Sequence, residues 1–209
     1  MKRILWIALL ALALPMAAFA SSSSEVDFTN SGGTLSGTSA GLSLSGSELI
    51  AVNGLNGLGL VTGALGSVSF STGALLPGGN LQMGGTFAGG SSSSFIIDGN
   101  GLNGIPSGAI FSGSFDGPVT WTLVTLANGT HNYTLTGSVS GTWYNGSTVY
   151  GATVQLTINT GKGFFNGRTT ISSGDTNIGA SPVPEPSTLI FMGTGLIGVA
   201  GALRRKLKV

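Results

Sequence analysis

Few side chains in this 209-residue chain have the chemistry of a catalytic or metal site. There is one histidine, His131, and no cysteine. His131 lies in "NGTHNY", a pattern typical of an exposed turn, and no nucleophile motif accompanies it. "DGNG" at residues 98–101 is similar to the start of a calcium loop, but the further acids, amides and terminal Glu of such a loop are missing, so we interpret it as a plain turn. The sequence predicts no enzyme, no catalytic residue, no metal site and no cofactor.

The charge balance excludes a nucleic-acid-binding function. Between residues 21 and 181 there are two basic and six acidic residues, a net charge of −4, and the positive balance of the whole chain comes from its two ends. A mildly acidic body with two cations lacks the basic patch that binds phosphates. The absence of cysteine also means that an exported form of this chain uses no disulfide.

The N-terminus has the three parts of a secretory signal. Lys2 and Arg3 come first, an apolar run from 4 to 14 follows, and Ala18 and Ala20 occupy the −3 and −1 positions of a cleavage site. The apolar run, about 16 Å long as a helix, is too short to span a bilayer. We therefore predict a signal helix and signal peptide over residues 1–20, with cleavage after Ala20.

The C-terminus reads as an extended hinge, an apolar helix and a basic end. Pro184-Glu185-Pro186 comes first, residues 188–203 carry no charge, and Arg204, Arg205 and Lys206 follow directly. Sixteen helical residues extend about 24 Å, which membrane thinning and flanking bases make long enough to span. Because basic residues stay on the cytoplasmic side, we predict a transmembrane helix with the chain's end inside and the body outside.

This ordered arrangement resembles the PEP-CTERM sorting signal of bacterial exported proteins, over the last 26 residues only. The resemblance implies recognition at Pro184, Glu185 and Pro186 by an exosortase, a membrane enzyme that cuts near this motif. It implies a basic stop at Arg204, Arg205 and Lys206, a transient stay in the inner membrane, and a bacterium that makes exopolysaccharide. The resemblance therefore implies export across the inner membrane as an anchored precursor and a final place at the cell surface or outside.

Between the two ends, the sequence predicts an all-β fold. From 132 to 160, apolar and polar residues alternate strictly about Asn145-Gly146, which favours a hairpin with a type I′ turn. In the register that joins both apolar faces, Tyr133 pairs with Ile158 and Gly141 with Tyr150. We predict a single antiparallel β-sandwich or flattened barrel built from hairpins, flanked by the signal helix and the transmembrane helix.

Further patterns support a hairpin-built domain over residues 21–171. A three-residue turn at 128–130 pairs Leu123 with Leu135 and places Trp121 on the apolar face. "NGLNGL" at residue 53 recurs as "NGLNGI" at residue 100, which predicts two similar strand–turn–strand segments in one sheet. Residues 172–183, rich in Ser, Gly and Asn, are predicted to be a flexible linker. The sorting signal then occupies residues 184–209, with its helix at 188–203.

Two functions fit these features. The first is a non-enzymatic cell-surface or extracellular-matrix protein, cleaved by an exosortase and associated with exopolysaccharide or biofilm. The alternative is a carbohydrate-binding module of the same compartment, in which an exposed aromatic ring stacks on a sugar. The predicted register buries Trp121, Trp143 and Tyr150, which leaves Tyr144 as the candidate glycan contact.

Overall fold

The computed structural model describes residues 25–179, and this part of the chain consists of twelve β-strands and two short 3-10 turns, without an α-helix. The strands are β1 (Glu25–Ser31), β2 (Thr34–Thr38), β3 (Gly41–Asn53), β4 (Val61–Ser71), β5 (Gly84–Phe87), β6 (Ser94–Asn100), β7 (Ser107–Phe115), β8 (Val119–Thr125), β9 (His131–Trp143), β10 (Thr148–Asn159), β11 (Arg168–Thr170) and β12 (Ser173–Gly179).

Eight of these strands close into an antiparallel barrel. The hydrogen-bonded order is β1-β12-β10-β9-β7-β6-β4-β3, and β3 pairs again with β1 to complete the ring. Closure pairs the strand edges that an open sheet leaves unpaired. The predicted all-β antiparallel fold is confirmed, and of the two architectures left open the structure has the barrel. The predicted flanking helices lie outside the described residues.

The remaining four strands extend the barrel at one end. β3 and β9 have 13 residues each and continue beyond the ring. There β2 pairs with the first residues of β3, and β8 pairs with the first residues of β9. β11 then adds to β2 and β5 adds to β8. We call this the extension end, and we call the opposite end, where β1 begins and β12 ends, the loop end.

Two aromatic clusters fill the interior. Within the ring, Phe70, Phe95 and Phe115 pack edge-to-face or stacked, with centroids 5.9–6.4 Å apart. Toward the extension end, Trp121 stacks on Tyr133 at 4.9 Å. Both polar groups of this second pair are hydrogen-bonded. The Trp121 indole N–H donates to the Leu81 carbonyl, and the Tyr133 hydroxyl donates to the Gln82 carbonyl. The predicted burial of Trp121 is confirmed, at 1 % exposure.

The β9–β10 hairpin has the predicted register over most of its length. Tyr133 pairs with Ile158, Leu135 with Leu156, and Val139 with Ala152. The alternation dictates this register, since a slip by one residue would place every apolar side chain opposite a polar one.

The turn of this hairpin differs from the predicted type I′. The Trp143 N–H donates to the Ser147 carbonyl, and the Gly146 N–H donates to the Trp143 carbonyl. Residues 144–146 therefore form a three-residue loop. Gly146 has φ 84°, whereas Asn145 keeps a negative φ, so the turn is type I followed by a glycine bulge. The Asn145 side chain explains the choice, because its Oδ1 accepts from the Ser147 N–H and stabilises this geometry locally.

A bulge in β10 absorbs the extra loop residue. The register shifts between Val149 and Ala152, so Val149 rather than Tyr150 lies opposite Gly141. The prediction that Tyr150 belongs to the core is therefore wrong: its side chain is 71 % exposed, and Val149 is buried instead. Trp143 lies at the margin of the core, partly buried.

The β8–β9 register differs from the prediction by two residues. Its three-residue loop is 127–129 rather than 128–130, so Trp121 pairs with Leu135 and Leu123 with Tyr133. A shift of two keeps each side chain on its face, which is why Trp121 is buried as predicted although its partner was wrong.

The predicted linker over residues 172–183 is also wrong in its described part. Residues 173–179 form β12, which lies between β1 and β10 and closes the ring. Its sequence is polar, but the strand bonds neighbours on both sides. A Cβ at Gly174 would lie 2.5 Å from the Asn30 Oδ1, so the glycine leaves room for that buried side chain.

As predicted, the repeated segment lies in two strand–turn–strand units of one sheet, β3–β4 and β6–β7, and both of its turns are at the loop end. Asn56 and Asn103 have φ of 54° and 55°, and Gly57 and Gly104 follow at 74° and 83°. Positive φ at two successive residues is the signature of a type I′ turn, so this turn type occurs in the repeat and not at Asn145.

Substitution of Gly146 should test the observed turn. We expect Gly146→Val to lower the free energy of unfolding by about 1–3 kcal/mol, because a β-branched residue resists positive φ. No atom lies within 4 Å of the added Cβ, so the cost is conformational and not steric. Gly146→Asn should cost less, since Asn tolerates this region. Denaturant unfolding of both variants checks the order, and equal stability of Val and Asn variants would contradict it.

Candidate functional site

The side chain of His131 is held in place by two neighbouring side chains. His131 is the first residue of β9 and is half-buried, rather than exposed in a turn as predicted. Its ring stacks on Phe164 at 4.3 Å, and its Nδ1 shares a hydrogen bond with the Thr125 hydroxyl. Asp98 and Asn100 of the "DGNG" segment belong to β6, so the predicted turn begins only after Asn100. Across residues 25–179, no three His, Asp or Glu side chains are grouped as metal ligands.

A polar groove of about 670 Å³ lies on the outside of the barrel. It runs across β1, β12, β10, β9 and β8, whose outward positions supply carboxylates, amides and hydroxyls. The period-two alternation explains this composition, because the apolar partners of these residues point into the core. The outer groove is lined by Asp27, Pro118, Thr120, Thr136, Gly137, Ser138, Thr153, Val154, Gln155, Asp175 and Asn177.

Two carboxylates give the outer groove a negative character. Asp27 on β1 and Asp175 on β12 lie on adjacent strands. Burial raises the pKa of Asp27 above its usual value, the neighbouring Asp175 and Glu25 raise it further, and a bond from the Phe28 amide lowers it in part. The groove therefore repels anions, and its other donors and acceptors are uncharged.

The raised pKa makes a prediction about stability. In the window from the ordinary pKa of Asp, near 3.8, to its raised value, the folded chain holds a proton that the unfolded chain has lost. Stability associated with Asp27 thus falls as pH rises through this window. We expect Asp27→Asn to raise the melting temperature at pH 7 and to weaken its fall with pH. Asp175→Asn should do so to a smaller degree, and a lowered melting temperature for Asp27→Asn would contradict this account.

A second, smaller pocket of about 240 Å³ lies at the mouth of the barrel, at the loop end. Tyr144 covers it: the side chain is 39 % exposed, its ring lies 5.8 Å from that of Trp143, and its hydroxyl donates to the Asn56 Oδ1. The predicted glycan contact is therefore outside the outer groove. The mouth pocket is lined by Val26, Gly54, Leu55, Asn56, Gly57, Trp143, Tyr144, Asn145, Ser147, Val149 and Ile178.

Sequence reasoning missed the outer groove. The polar faces of β9 and β10 are visible in the alternation, but their neighbours are not. Asp27 and Asn177 are 150 positions apart in the sequence and become neighbours only because β1 pairs with β12. The available signal was the run of polar residues at alternate positions of residues 173–177, which was interpreted as a linker.

Beyond the barrel, the tail carries a known sequence motif. Residues 182–206 match the PEP-CTERM protein-sorting motif. The match contains Pro184, Glu185, Pro186 and the basic Arg204, Arg205 and Lys206, so the resemblance found in the sequence is confirmed. No curated protein and no solved structure matches the chain.

The PEP-CTERM motif supports an exported protein with a membrane-anchored C-terminal signal that an exosortase processes. The motif begins three positions after β12 ends at Gly179. Its residues lie outside the described part of the chain, as do the signal cleavage residues Ala18 and Ala20. Among residues 25–179, no helix has the length and hydropathy to cross a membrane.

Proposed function

We propose that this chain is a non-enzymatic protein of the bacterial cell surface or extracellular matrix, delivered as an anchored precursor and released by exosortase cleavage near Pro184-Glu185-Pro186. The observation that carries the proposal is the PEP-CTERM match directly after the last barrel strand. In this scheme, the helix at 188–203 crosses the inner membrane, and the basic residues after it stay inside.

The described side chains support a role without catalysis. His131 is engaged by a stacked ring and a hydroxyl, and the Tyr133 hydroxyl donates to Gln82 and accepts from the Phe165 amide. The outer strand faces present hydroxyls and amides, which exchange hydrogen bonds readily with water and with hydrated polysaccharide. Cleavage would also remove the basic tail and leave a mildly acidic body outside.

Mass spectrometry of the protein from cell surface and medium tests this proposal. We expect a mature chain that begins at Ser21 and ends near residues 184–186. A chain that still carries Met1, or one that ends at Val209 in every fraction, would contradict export and processing as proposed. Both ends are read in one measurement.

A second candidate function is binding of a neutral polysaccharide in the outer groove. The observation that favours it is the lining, in which Thr136, Thr153, Gln155 and Asn177 offer several donors and acceptors along one open surface. The carboxylates of Asp27 and Asp175 accept bonds from sugar hydroxyls and oppose an anionic chain. Exopolysaccharide of the native matrix is the proposed ligand.

Variants in the two concavities distinguish the possible sites. Retention on immobilised neutral and acidic polysaccharides is measured for the Gln155→Ala/Asn177→Ala double variant, for Tyr144→Ala, and for Thr148→Ala as an exposed control. We expect retention on neutral polysaccharide alone and its loss in the double variant. Loss only in Tyr144→Ala would move the site to the mouth pocket. No retention on any polysaccharide would end the binding proposal but not the sorting proposal.

A further inference from the structure

The loop end of the barrel collects three hairpin loops and both ends of the described chain. The β3–β4 loop, the β6–β7 loop and the β9–β10 loop all lie there. The strand residues before these loops show this: Asn53 pairs with Asp27, Asn100 pairs with Ser107, and Trp143 pairs with Phe111. Glu25 pairs with Gly179 at the same end. The chain therefore leaves the barrel toward its sorting motif from among these loops.

These loops are apolar at their tips and free of charge. Leu60 is 69 % exposed, Leu102 is 59 % exposed, and Tyr144 is 39 % exposed. No charged residue occurs in 53–66, 99–113 or 143–152. Among the described residues, Glu25 is the charged residue at the edge of this end, and Asp27 on β1 and Asp98 on β6 lie two residues farther from the loops. Exposed leucines and a partly exposed tyrosine at one end, in loops with no charge to desolvate, are suited to the apolar–polar boundary of a bilayer, where aromatic rings concentrate.

With the tail anchored as proposed, chain length limits the distance between this end and the membrane. Eight residues, 180–187, separate β12 from the uncharged run at 188–203, and fully extended they reach no more than about 28 Å. β10 alone, with 12 residues from the loop end to the extension end, runs about 40 Å. The extension end also exposes apolar side chains, among them Val124 and Leu126. The extension end lies a whole strand farther from Gly179, where the chain leaves the barrel for the tail. The loop end therefore has the higher local concentration at the bilayer that holds the tail.

We propose that the loop end, through Leu60, Leu102 and Tyr144, rests on the lipid bilayer while the C-terminal tail is uncut, and leaves it after cleavage. The proposal rests on the proposed anchoring of the tail. The short segment between the barrel and the membrane helix gives the loop end an effective concentration at the bilayer in the millimolar range. Three shallow apolar contacts are therefore sufficient to hold the barrel on the bilayer while the tail is uncut. The same contacts are too few to hold a free body on a membrane, since even one long acyl chain gives only marginal binding. Cutting thus releases the barrel without a second step.

The experiment uses the full chain without its signal peptide, reconstituted in phosphatidylcholine vesicles that contain a lipid-embedded quencher. Because the chain has no cysteine, single variants can be labelled with a fluorophore at one site each. Ser107→Cys reports the loop end and Ala127→Cys reports the extension end, and both positions are exposed. We expect strong quenching at position 107 and little at 127. Equal quenching, or quenching only at 127, would overturn the proposal.

Matched variants identify the side chains responsible. Leu60→Ser with Leu102→Ser should remove most of the quenching at position 107, whereas Val124→Ser with Leu126→Ser should leave it unchanged. A protease site placed at 184–186 and cut in situ should abolish quenching and release the barrel from floated vesicles. Retention of the cut barrel on vesicles would contradict the release step. If the labelled chain floats with vesicles but is unquenched, the proposed contact of the loop end with the bilayer is wrong and the anchoring of the tail stands. If the chain does not float, the proposed anchoring of the tail is wrong as well.

Discussion

Replacing Pro184-Glu185-Pro186 by three alanines is expected to leave the chain uncut, as a larger form that fractionates with the membrane. The two prolines keep this segment extended, which suits a protease cleft, and alanines favour continuation of the adjacent helix. The tripeptide lies within the matched motif, and Pro184 is only five positions after the end of β12. The mature protein outside the cell should fall at least tenfold.

A matched variant separates recognition from a general effect of alanine. Ser181→Ala, immediately before the matched residues, should be processed and released like the unaltered chain. Size and location are read by immunoblotting of membrane, surface and medium fractions. If the triple variant is cut and placed like the unaltered chain, the tail is only an anchor and the sorting proposal is wrong.

Gly141→Ala is expected to cost about 3 kcal/mol or more of stability and to leave little folded barrel. Gly141 on β9 pairs with Gly113 on β7, where the two strands approach closely. An added Cβ would lie 2.3 Å from the Ser112 carbonyl oxygen and 2.6 Å from the Gly113 Cα. Both are backbone atoms of the facing strand, so no side chain can move to make room. The cost therefore exceeds that of ordinary overpacking, which is about 1–3 kcal/mol.

Gly59→Ala provides the control for this variant. A Cβ at Gly59 meets nothing within 4 Å, and its backbone is in a region open to alanine. It should be neutral or slightly stabilising, because alanine restricts the unfolded chain. Thermal unfolding in detergent, followed by circular dichroism, compares the two. Similar melting temperatures would mean that β7 and β9 can separate locally without loss of the barrel.

Local pattern was enough to predict the strands with a clear alternation, their faces and the antiparallel class. In β9 and β10 the alternation is strict, and every buried position from Tyr133 to Val139 follows from it. The repeat around Asn53 and Asn100 likewise predicted two equivalent loops, because the same short sequence has the same turn preference. The sorting tail was recognisable because its signal is a linear order of proline, acid, apolar run and basic end.

Turn type was less predictable, because Asn-Gly fits more than one geometry. At Asn56 and Asn103 the backbone has positive φ, whereas Asn145 uses its side chain to bond Ser147 and stays at negative φ. The choice moved the register by one residue near the turn and exposed Tyr150. The hydrogen bonds of one turn thus decided that Val149, and not Tyr150, belongs to the core.

Closure was decided by tertiary structure alone. Residues 173–179 have the composition of a linker, and they form a strand because β1 and β10 leave a gap in which both edges need a partner. That same pairing brings Asp27 beside Asn177 and creates the outer groove. The sequence by itself determined the alternating strands such as β9 and β10, their inward and outward faces and the sorting signal in the tail, since each depends on neighbours along the chain. The tertiary structure decided the ring, the groove and the crowding of three uncharged loops around the point where the tail leaves, because each depends on strands far apart in sequence competing for the same backbone hydrogen bonds.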